Sequence, residues 1–172
     1  MLITTGSNNG YRFIKRWEGL KLHAYKCSAG VNTIGYGHTT NVREGQVITV
    51  EQADRLFEND IKNFEFALNK TLVGVAPVTQ NQYDALLSFA FNCGVSAVSE
   101  VVQYMRDKGK INKLVNVEET KKYHQYKFHL KNNHNDIFYI SVLFCKYISA
   151  GGKPVEGLFN RRFEESLLFL DI

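Results

Sequence analysis

The chain has 172 residues, of which 44% are hydrophobic and 22% charged, and this length fits one compact domain or two small lobes around a shared core. With 2 Pro, 13 Gly and a formal net charge of +4, the composition excludes collagen-like, linker-rich and disordered chains. No apolar run approaches the roughly 20 residues of a bilayer-spanning helix, so we expect no stable membrane insertion.

The first predicted elements are a helix and a small sheet. Apolar residues recur at helical spacing over residues 11–23, which predicts an amphipathic helix with Asn8 or Asn9 as its cap. Between residues 24 and 48, glycines interrupt short runs rich in Val, Thr, Ile and Tyr. This pattern predicts two or three antiparallel strands joined by tight turns.

Two capping boxes mark the starts of the next helices. The boxes are Thr49 with Gln52 and Thr79 with Gln82. The first box predicts a long helix over 50–70, because apolar residues follow it at steps of three and four. The second predicts a helix that ends at Gly94, and a short helix over 97–107 follows.

The last part of the chain is predicted to be helical apart from two stretches. Residues 108–135 are polar, basic and weakly periodic, so they are predicted as helix or loop. Asp136 can cap an apolar helix over 137–148, residues 150–154 form a turn, and residues 158–170 form a terminal helix. One small sheet followed by helices is an α+β arrangement.

The positive charge is concentrated in one segment. Residues 106–131 hold eight Lys or Arg against three acidic residues, a formal charge of +5. Such a segment can attract nucleic acid, an acidic membrane surface or an anionic cell-wall polymer. The histidines in and just after it recur every five residues, which turns them away from a common helix face, so we predict no metal site. These are His124, His129 and His134.

The cysteines and the N-terminus limit the cellular setting. Cys27, Cys93 and Cys145 are an odd set with wide spacing, which predicts neither a disulfide framework nor a metal or redox pair. We expect Cys93 and Cys145 to be buried in the packing. Residues 1–10 lack the basic and apolar regions of a secretory signal, so we expect the chain to fold in a cytosol.

Glu18 is the first candidate for chemistry. It follows Trp17 at the end of a predicted helix and precedes a glycine-rich hairpin. A carboxyl beside an aromatic wall has its charged form disfavoured, which suits a general acid. The alternative, which the residues alone favour, is a surface glutamate before an ordinary hairpin.

The spacing of three residues resembles the motif of the phage-type lysozymes, glycoside hydrolase family 24. In that motif a Glu is followed by eight residues, an Asp or Cys, five residues and a Thr, as are Glu18, Cys27 and Thr33. The flanking residues are also similar: Glu-Gly-Leu begins at the acid, and Thr-Ile-Gly-Tyr-Gly-His-Thr begins at the threonine. Residues 82–94 and 150–162 resemble the central helix and the closing segment of that family.

The resemblance implies a single lysozyme-like domain over 1–172, with a catalytic N-terminal lobe at 11–60 and a helical lobe at 61–172. It implies a muramidase that cuts the β-1,4 bond between N-acetylmuramic acid and N-acetylglucosamine in peptidoglycan, without metal or cofactor. Glu18 corresponds to the general acid. Cys27 and Thr33 correspond to the residues that position and activate the attacking water.

The role of Cys27 stays open at this point. A few per cent of an unperturbed thiol is ionised near pH 7, so a thiolate base, a nucleophile and a water-positioning group are three alternatives. His38 is a candidate base or, more simply, a hairpin residue held by hydrogen bonds or an ion pair. The resemblance suggests that Arg161 or Arg162 approaches Glu18 across the cleft, and an ordinary solvated helix face is the alternative for both.

The implied setting is lysis of a bacterium by a phage or prophage enzyme. We expect a monomer that waits in the host cytoplasm until a holin-type pore releases it to peptidoglycan in the periplasm or wall. Residues 99–145 depart from the family pattern, and we expect their excess charge to attract the anionic wall rather than nucleic acid. The competing hypotheses are a non-catalytic peptidoglycan-binding module and a nucleic-acid binder.

Overall fold

The computed structural model describes residues 2–27, 29–107, 140 and 142–171. A small antiparallel sheet lies near the N-terminus, and helices form most of the remainder, which confirms the α+β class. In chain order the elements are α1 (Asn8–Glu18), β1 (Lys21–Lys26), β2 (Asn32–Gly35), α2 (Val50–Thr71), α3 (Gln80–Cys93), α4 (Val95–Arg106), β3 (Ser149–Ala150), β4 (Lys153–Pro154) and α5 (Glu156–Leu170). No helix in this described part of the chain is long and apolar enough to cross a membrane.

Helix α1 begins and ends earlier than its apolar spacing predicted. Its cap is Ser7, whose side chain accepts a hydrogen bond from the Gly10 N–H, so Asn8 lies inside the helix. The helix ends at Glu18 because Gly19 adopts a φ of +69°, a left-handed conformation that ends helices and favours glycine. The predicted extension to residue 23 is therefore wrong, and Glu18 is the last helical residue.

The N-terminal sheet is a short hairpin. Strands β1 and β2 pair antiparallel from Lys21 opposite Gly35 to Lys26 opposite Asn32, with an irregularity between them. An isolated bridge between His23 and Val47 adds a third chain segment at the other edge of β1. This matches the predicted two or three strands.

Two apolar clusters divide the described residues into two lobes that share one long helix. The smaller cluster lies under the hairpin and contains Ile34, Ile48 and Ala53. The larger one fills the helical lobe and includes Phe57 and Leu68. Since Ala53, Phe57 and Leu68 all belong to α2, this helix joins the two lobes of the lysozyme-like fold.

The remaining helices agree with prediction to within a few residues. Both capping boxes form, at the starts of α2 and α3, because the pattern is local and acts on adjacent backbone groups. The predicted turn at 150–154 connects β3 and β4. Residues 140 and 142–145 of the helix predicted over 137–148 are helical, whereas 146–148 are not. The predictions for residues 108–135 and for the cap Asp136 concern residues outside the described part of the chain.

Candidate active site

Glu18 meets an arginine from the far end of the chain. Its Oε1 lies 2.6 Å from Nη1 of Arg161 on α5. The Arg161 side chain is 4% exposed and that of Glu18 is 17% exposed. A largely buried guanidinium thus holds a carboxyl that solvent still reaches, and α1 and α5 are joined at this point.

The second oxygen of Glu18 faces the glycine hairpin. A Cβ added at Gly37 would lie 3.6 Å from Oε2, and Gly37 has a φ of +94°. Any L side chain here would be strained and would cover the carboxyl. Among the described residues the hydrogen bond of the Glu18 carboxyl is made by Oε1, and Oε2 is left open on the side of the hairpin.

Cys27 begins the turn that follows β1, and Thr33 lies in β2, paired with Tyr25. The Gly30 N–H donates to the Cys27 carbonyl over 2.8 Å, and the Cys27 N–H donates to the Val31 carbonyl over 3.0 Å. The N–H groups of Ala29 and then Val31, followed by the Thr33 hydroxyl, lower the pKa of the Cys27 thiol. The turn therefore stabilises a thiolate at this half-buried position.

Thr33 offers one hydroxyl proton to two acceptors. The side chain is buried, and its Oγ1 lies 3.0 Å from the Val31 carbonyl oxygen, to which it can donate. The same hydroxyl is a donor to the Cys27 sulfur. A hydroxyl has a single proton, so the Val31 carbonyl and the Cys27 sulfur compete for it.

Tyr25 connects the acid and the thiol electrostatically. Burial raises its pKa, and the charges of Glu18 and Cys27 raise it further, so both groups lie within electrostatic range of its hydroxyl. The ring is 41% exposed. Sequence reasoning did not single out Tyr25, although an aromatic residue two positions before the candidate Cys, on the same face of a strand, was a usable signal.

Arg162, the second arginine candidate, does not reach Glu18. It is fully buried, with Nε 2.7 Å from Oε2 of Glu165 and its guanidinium 4.9 Å from the Phe89 ring centre. Its Nη1 contacts Cys93 and Asn92. Neither arginine lies on the solvated face that was the alternative in the sequence.

Glu165 and Ser88 are site residues that sequence reasoning missed. Glu165 accepts hydrogen bonds from both arginines and from the Ser88 hydroxyl. Its spacing from the arginines, three and four positions along one helix, was the signal that could have found it. Ser88 carried no comparable signal, because it belongs to the buried middle of α3.

His38 is held by two acceptors away from this pair. Nδ1 lies 2.8 Å from Oδ2 of Asp60, and Nε2 lies 2.9 Å from the Thr40 carbonyl oxygen. No described hydrogen bond or ion pair joins it to Glu18 or Cys27. The geometry favours the hairpin-supporting interpretation, in which His38 ties the hairpin to α2.

The other two cysteines differ from each other. Cys145 is buried as expected, and burial raises the pKa of its thiol to about 12. Cys93 is half-buried rather than buried, because it ends α3 where Arg162 reaches its sulfur. Burial raises the pKa of Cys93 as well. Among the described residues, no three His, Cys, Asp or Glu side chains converge to hold a metal ion.

Two lobes that share a long helix, with an acid ending α1 beside a glycine hairpin, define a lysozyme-like protein. The model of the phage lysozyme family matches residues 15–127, and the chain belongs to this family. The chain is 50% identical over 91 residues to an endolysin of Acyrthosiphon pisum secondary endosymbiont phage 1, an alignment that covers 53% of this chain and 61% of the relative.

Other relatives match over nearly the whole chain. An endolysin of Bacillus phage PZA is 34% identical over 168 residues, covering 95% of this chain and 54% of the relative. The solved muramidase domain of SpmX from Asticaccaulis excentricus superposes with a TM-score of 0.69 at 30% identity, covering 95% of this chain and 96% of that one. The chain thus spans between about half and two thirds of these curated relatives.

Proposed function

We propose that this protein is an endolysin-type muramidase that hydrolyses the β-1,4 bond between N-acetylmuramic acid and N-acetylglucosamine in bacterial peptidoglycan. The observation that carries the proposal is the different environment of the two Glu18 carboxyl oxygens. One of them is anchored by Arg161 at 2.6 Å, and the other faces the open side of Gly37. Membership of the phage lysozyme family supports the same assignment.

Glu18 acts as the general acid in this proposal. Hydrolysis of a glycosidic bond needs a proton donor for the leaving oxygen and a second group for the water or the developing positive charge. Arg161 fixes the direction of the carboxyl, so that the proton on the free oxygen points into the cleft. Gly37 leaves room for the sugar oxygen that receives it.

Cys27 and Thr33 serve the attacking water. The lowered pKa of Cys27 favours a thiolate that accepts a proton from that water, so of the three alternatives we propose a base that also positions the water. Thr33 holds the sulfur through its hydroxyl. His38 supports the hairpin that presents these side chains, and Arg162 supports Arg161 from within the core.

The test is release of reducing ends from purified peptidoglycan. We expect the wild-type protein to release them and Glu18→Gln to lose this activity by more than about a hundredfold, in line with loss of a general acid. Glu58→Gln, an exposed carboxyl in α2, is the matched control and should match the wild type. Thermal melting followed by circular dichroism verifies that both variants are folded.

The same experiment decides against the alternative. A non-catalytic peptidoglycan-binding module would sediment with the wall but release no reducing ends from any form of the protein. Full activity of Glu18→Gln with release by the wild type would remove Glu18 from the acid role.

The proposed setting is phage-driven lysis. We propose that a monomer accumulates in the host cytoplasm and reaches the periplasm or wall after a holin-type lesion opens the membrane. The basic segment at 106–131, which lies almost wholly outside the described residues, is proposed to attract the anionic wall, and we propose no nucleic-acid partner.

A further inference from the structure

A fully buried carboxylate near Glu18 has no role so far. Glu165 on α5 is 0% exposed. Its Oε1 accepts from Arg161 Nε at 3.0 Å, from Arg162 Nη2 at 2.9 Å and from Ser88 Oγ at 2.6 Å. Its Oε2 lies 2.7 Å from Arg162 Nε.

All of these contacts come from donors, so they suit the ionised carboxylate. Burial raises the pKa of the Glu165 carboxyl, and the charges of Arg162 and Arg161 act in the opposite direction. A fully buried charge is tolerated when it is paired and hydrogen-bonded. Here Oε1 accepts three hydrogen bonds, whereas Oε2 is held by the charge of the Arg162 guanidinium alone and has no hydrogen-bond partner among the described residues. With Glu18, the centre contains two guanidiniums and two carboxylates, and their formal charges cancel.

The Arg161 guanidinium is planar and rigid, so its contact with Glu165 helps to set where it holds Glu18. Arg161 is a planar fork, and its Nε bonds Glu165 while its Nη2 lies 3.3 Å from the Ser88 carbonyl oxygen. Fixing two corners of a planar group fixes the third. The third corner is Nη1, which holds Glu18 at 2.6 Å.

We propose that Glu165 is a positioning residue for the glycosidase reaction, acting on the Glu18 carboxyl through Arg161. This inference rests on the proposed function. Glu165 touches neither the sugar nor the reacting oxygen. It fixes the plane of the Arg161 guanidinium and offsets part of the positive charge that this group presents to Glu18.

The charge balance predicts a change in pH dependence. Facing Glu165 are Arg161 and Arg162 on its own helix, Cys93 on α3 and Cys145 on the segment before β3. Burial raises the pKa of both thiols, so they stay neutral. Removing the Glu165 charge leaves Arg162 without a carboxylate and Arg161 with Glu18 alone. The two guanidinium charges are then less compensated next to Glu18, so we expect the alkaline limit of activity to move to lower pH.

The test compares Glu165→Gln with Glu65→Gln. Glu65 is a buried carboxyl on α2 that accepts from the Tyr11 hydroxyl and the Gly6 N–H, so the control makes the same chemical change elsewhere in the core. On soluble peptidoglycan strands we expect Glu165→Gln to lower kcat about tenfold with KM within about twofold, and to move the alkaline limb of the pH profile down by about one pH unit. Glu65→Gln should melt at a lower temperature but keep the wild-type limb.

A second variant keeps the test decisive if Glu165→Gln fails to fold. Ser88→Ala removes one donor to Glu165 without altering any charge, so we expect kcat to fall about threefold while the limb stays in place. The proposal is overturned if Ser88→Ala keeps the wild-type kcat. It is also overturned if Glu165→Gln has the same kcat and the same alkaline limb of the pH profile as Glu65→Gln. If the wild type releases no reducing ends, the proposed function fails and this inference fails with it. If the wild type is active, Glu18→Gln is inactive and Glu165→Gln behaves like the control, the positioning role alone fails.

Discussion

Two glycines inside helices should respond to alanine in opposite directions. Alanine in a helix is favoured over glycine by about 0.5–1 kcal/mol. At Gly10 in α1, however, a Cβ would lie 2.5 Å from Cγ and 2.7 Å from Oδ1 of Asp84. At Gly157 in α5 a Cβ would meet no atom within 4 Å. The same substitution therefore separates helix propensity from packing.

The cost at Gly10 can be worked out from the contacts of Asp84. This carboxyl is buried and holds Ser7 through the backbone N–H at 2.9 Å and the hydroxyl at 2.5 Å. Overpacking costs about 2 kcal/mol, and loss of one charged hydrogen bond costs about 2 kcal/mol. Subtracting a propensity gain of about 1 kcal/mol leaves a net loss of about 3 kcal/mol.

Thermal unfolding followed by circular dichroism measures this difference. For a chain of this size, a loss of about 3 kcal/mol lowers Tm by roughly 6–12 °C, whereas Gly157→Ala should leave Tm unchanged or raise it by a few degrees. Because α1 carries Glu18, Gly10→Ala should also slow peptidoglycan cleavage. A Gly10→Ala protein that melts at or above the wild-type temperature would refute the close packing of α1 on Asp84.

Three further predictions concern the hairpin turn. The pKa of the Cys27 thiol is lowered and the pKa values of the two other thiols are raised. Iodoacetamide at neutral pH should therefore label Cys27 in the folded protein before Cys93 or Cys145. Mass spectrometry of the peptides measures the labelling, and equal labelling of all three cysteines would contradict the prediction. Thr33→Val should raise the pH midpoint of Cys27 alkylation, whereas Thr33→Ser should leave it in place; an unchanged midpoint in the valine variant would remove the hydroxyl from the set of donors. In the peptidoglycan assay Cys27→Asp should stay active because a carboxylate is also a base, and Cys27→Ala should be severely impaired; normal turnover by the alanine variant would show that Cys27 is not catalytic.

Local patterns were the most successful part of the sequence-based prediction. The capping boxes at Thr49 and Thr79 form as predicted, since each depends on backbone groups three residues apart. Glu18, Cys27 and Thr33 are close in sequence, on one helix end and one hairpin, but the family resemblance singled out Cys27 and Thr33, and the roles of all three stay predictions. The end of α1 was mispredicted, since Leu20 continued the apolar spacing past the positive φ of Gly19.

Long-range polar contacts were not predictable from the residues themselves. Arg161 lies 143 positions from Glu18, and the resemblance to a family, not periodicity, brought it into consideration. Ser88 and Glu165 were missed because a polar residue in a helix is ordinarily assigned to its solvated face. Their burial depends on how α3 and α5 pack, which no window of adjacent residues records.

Helix α3 explains how residues far from Glu18 in sequence come to hold it. It is buried on all sides from Tyr83 to Ala90, and it packs against α1, α2, α4 and α5. Asp84 and Ser88 are four positions apart, so they lie on one face of this helix, about one turn apart. Asp84 holds Ser7, the cap at the start of α1. Ser88 holds Glu165 on α5, and Glu165 orients Arg161, which contacts Glu18 at the end of α1.

Both ends of α1 are therefore positioned by residues on the same buried face of α3. An 11-residue helix is about 16 Å long, whereas one helical turn on α3 spans about 5 Å. The Glu165 and Arg161 side chains on α5 cover the difference, so the position of the acid depends on side-chain length as well as on helix packing. This is why we expect Glu165→Gln, which keeps the length but removes the charge, to change the pH dependence of the reaction more than its affinity for the substrate.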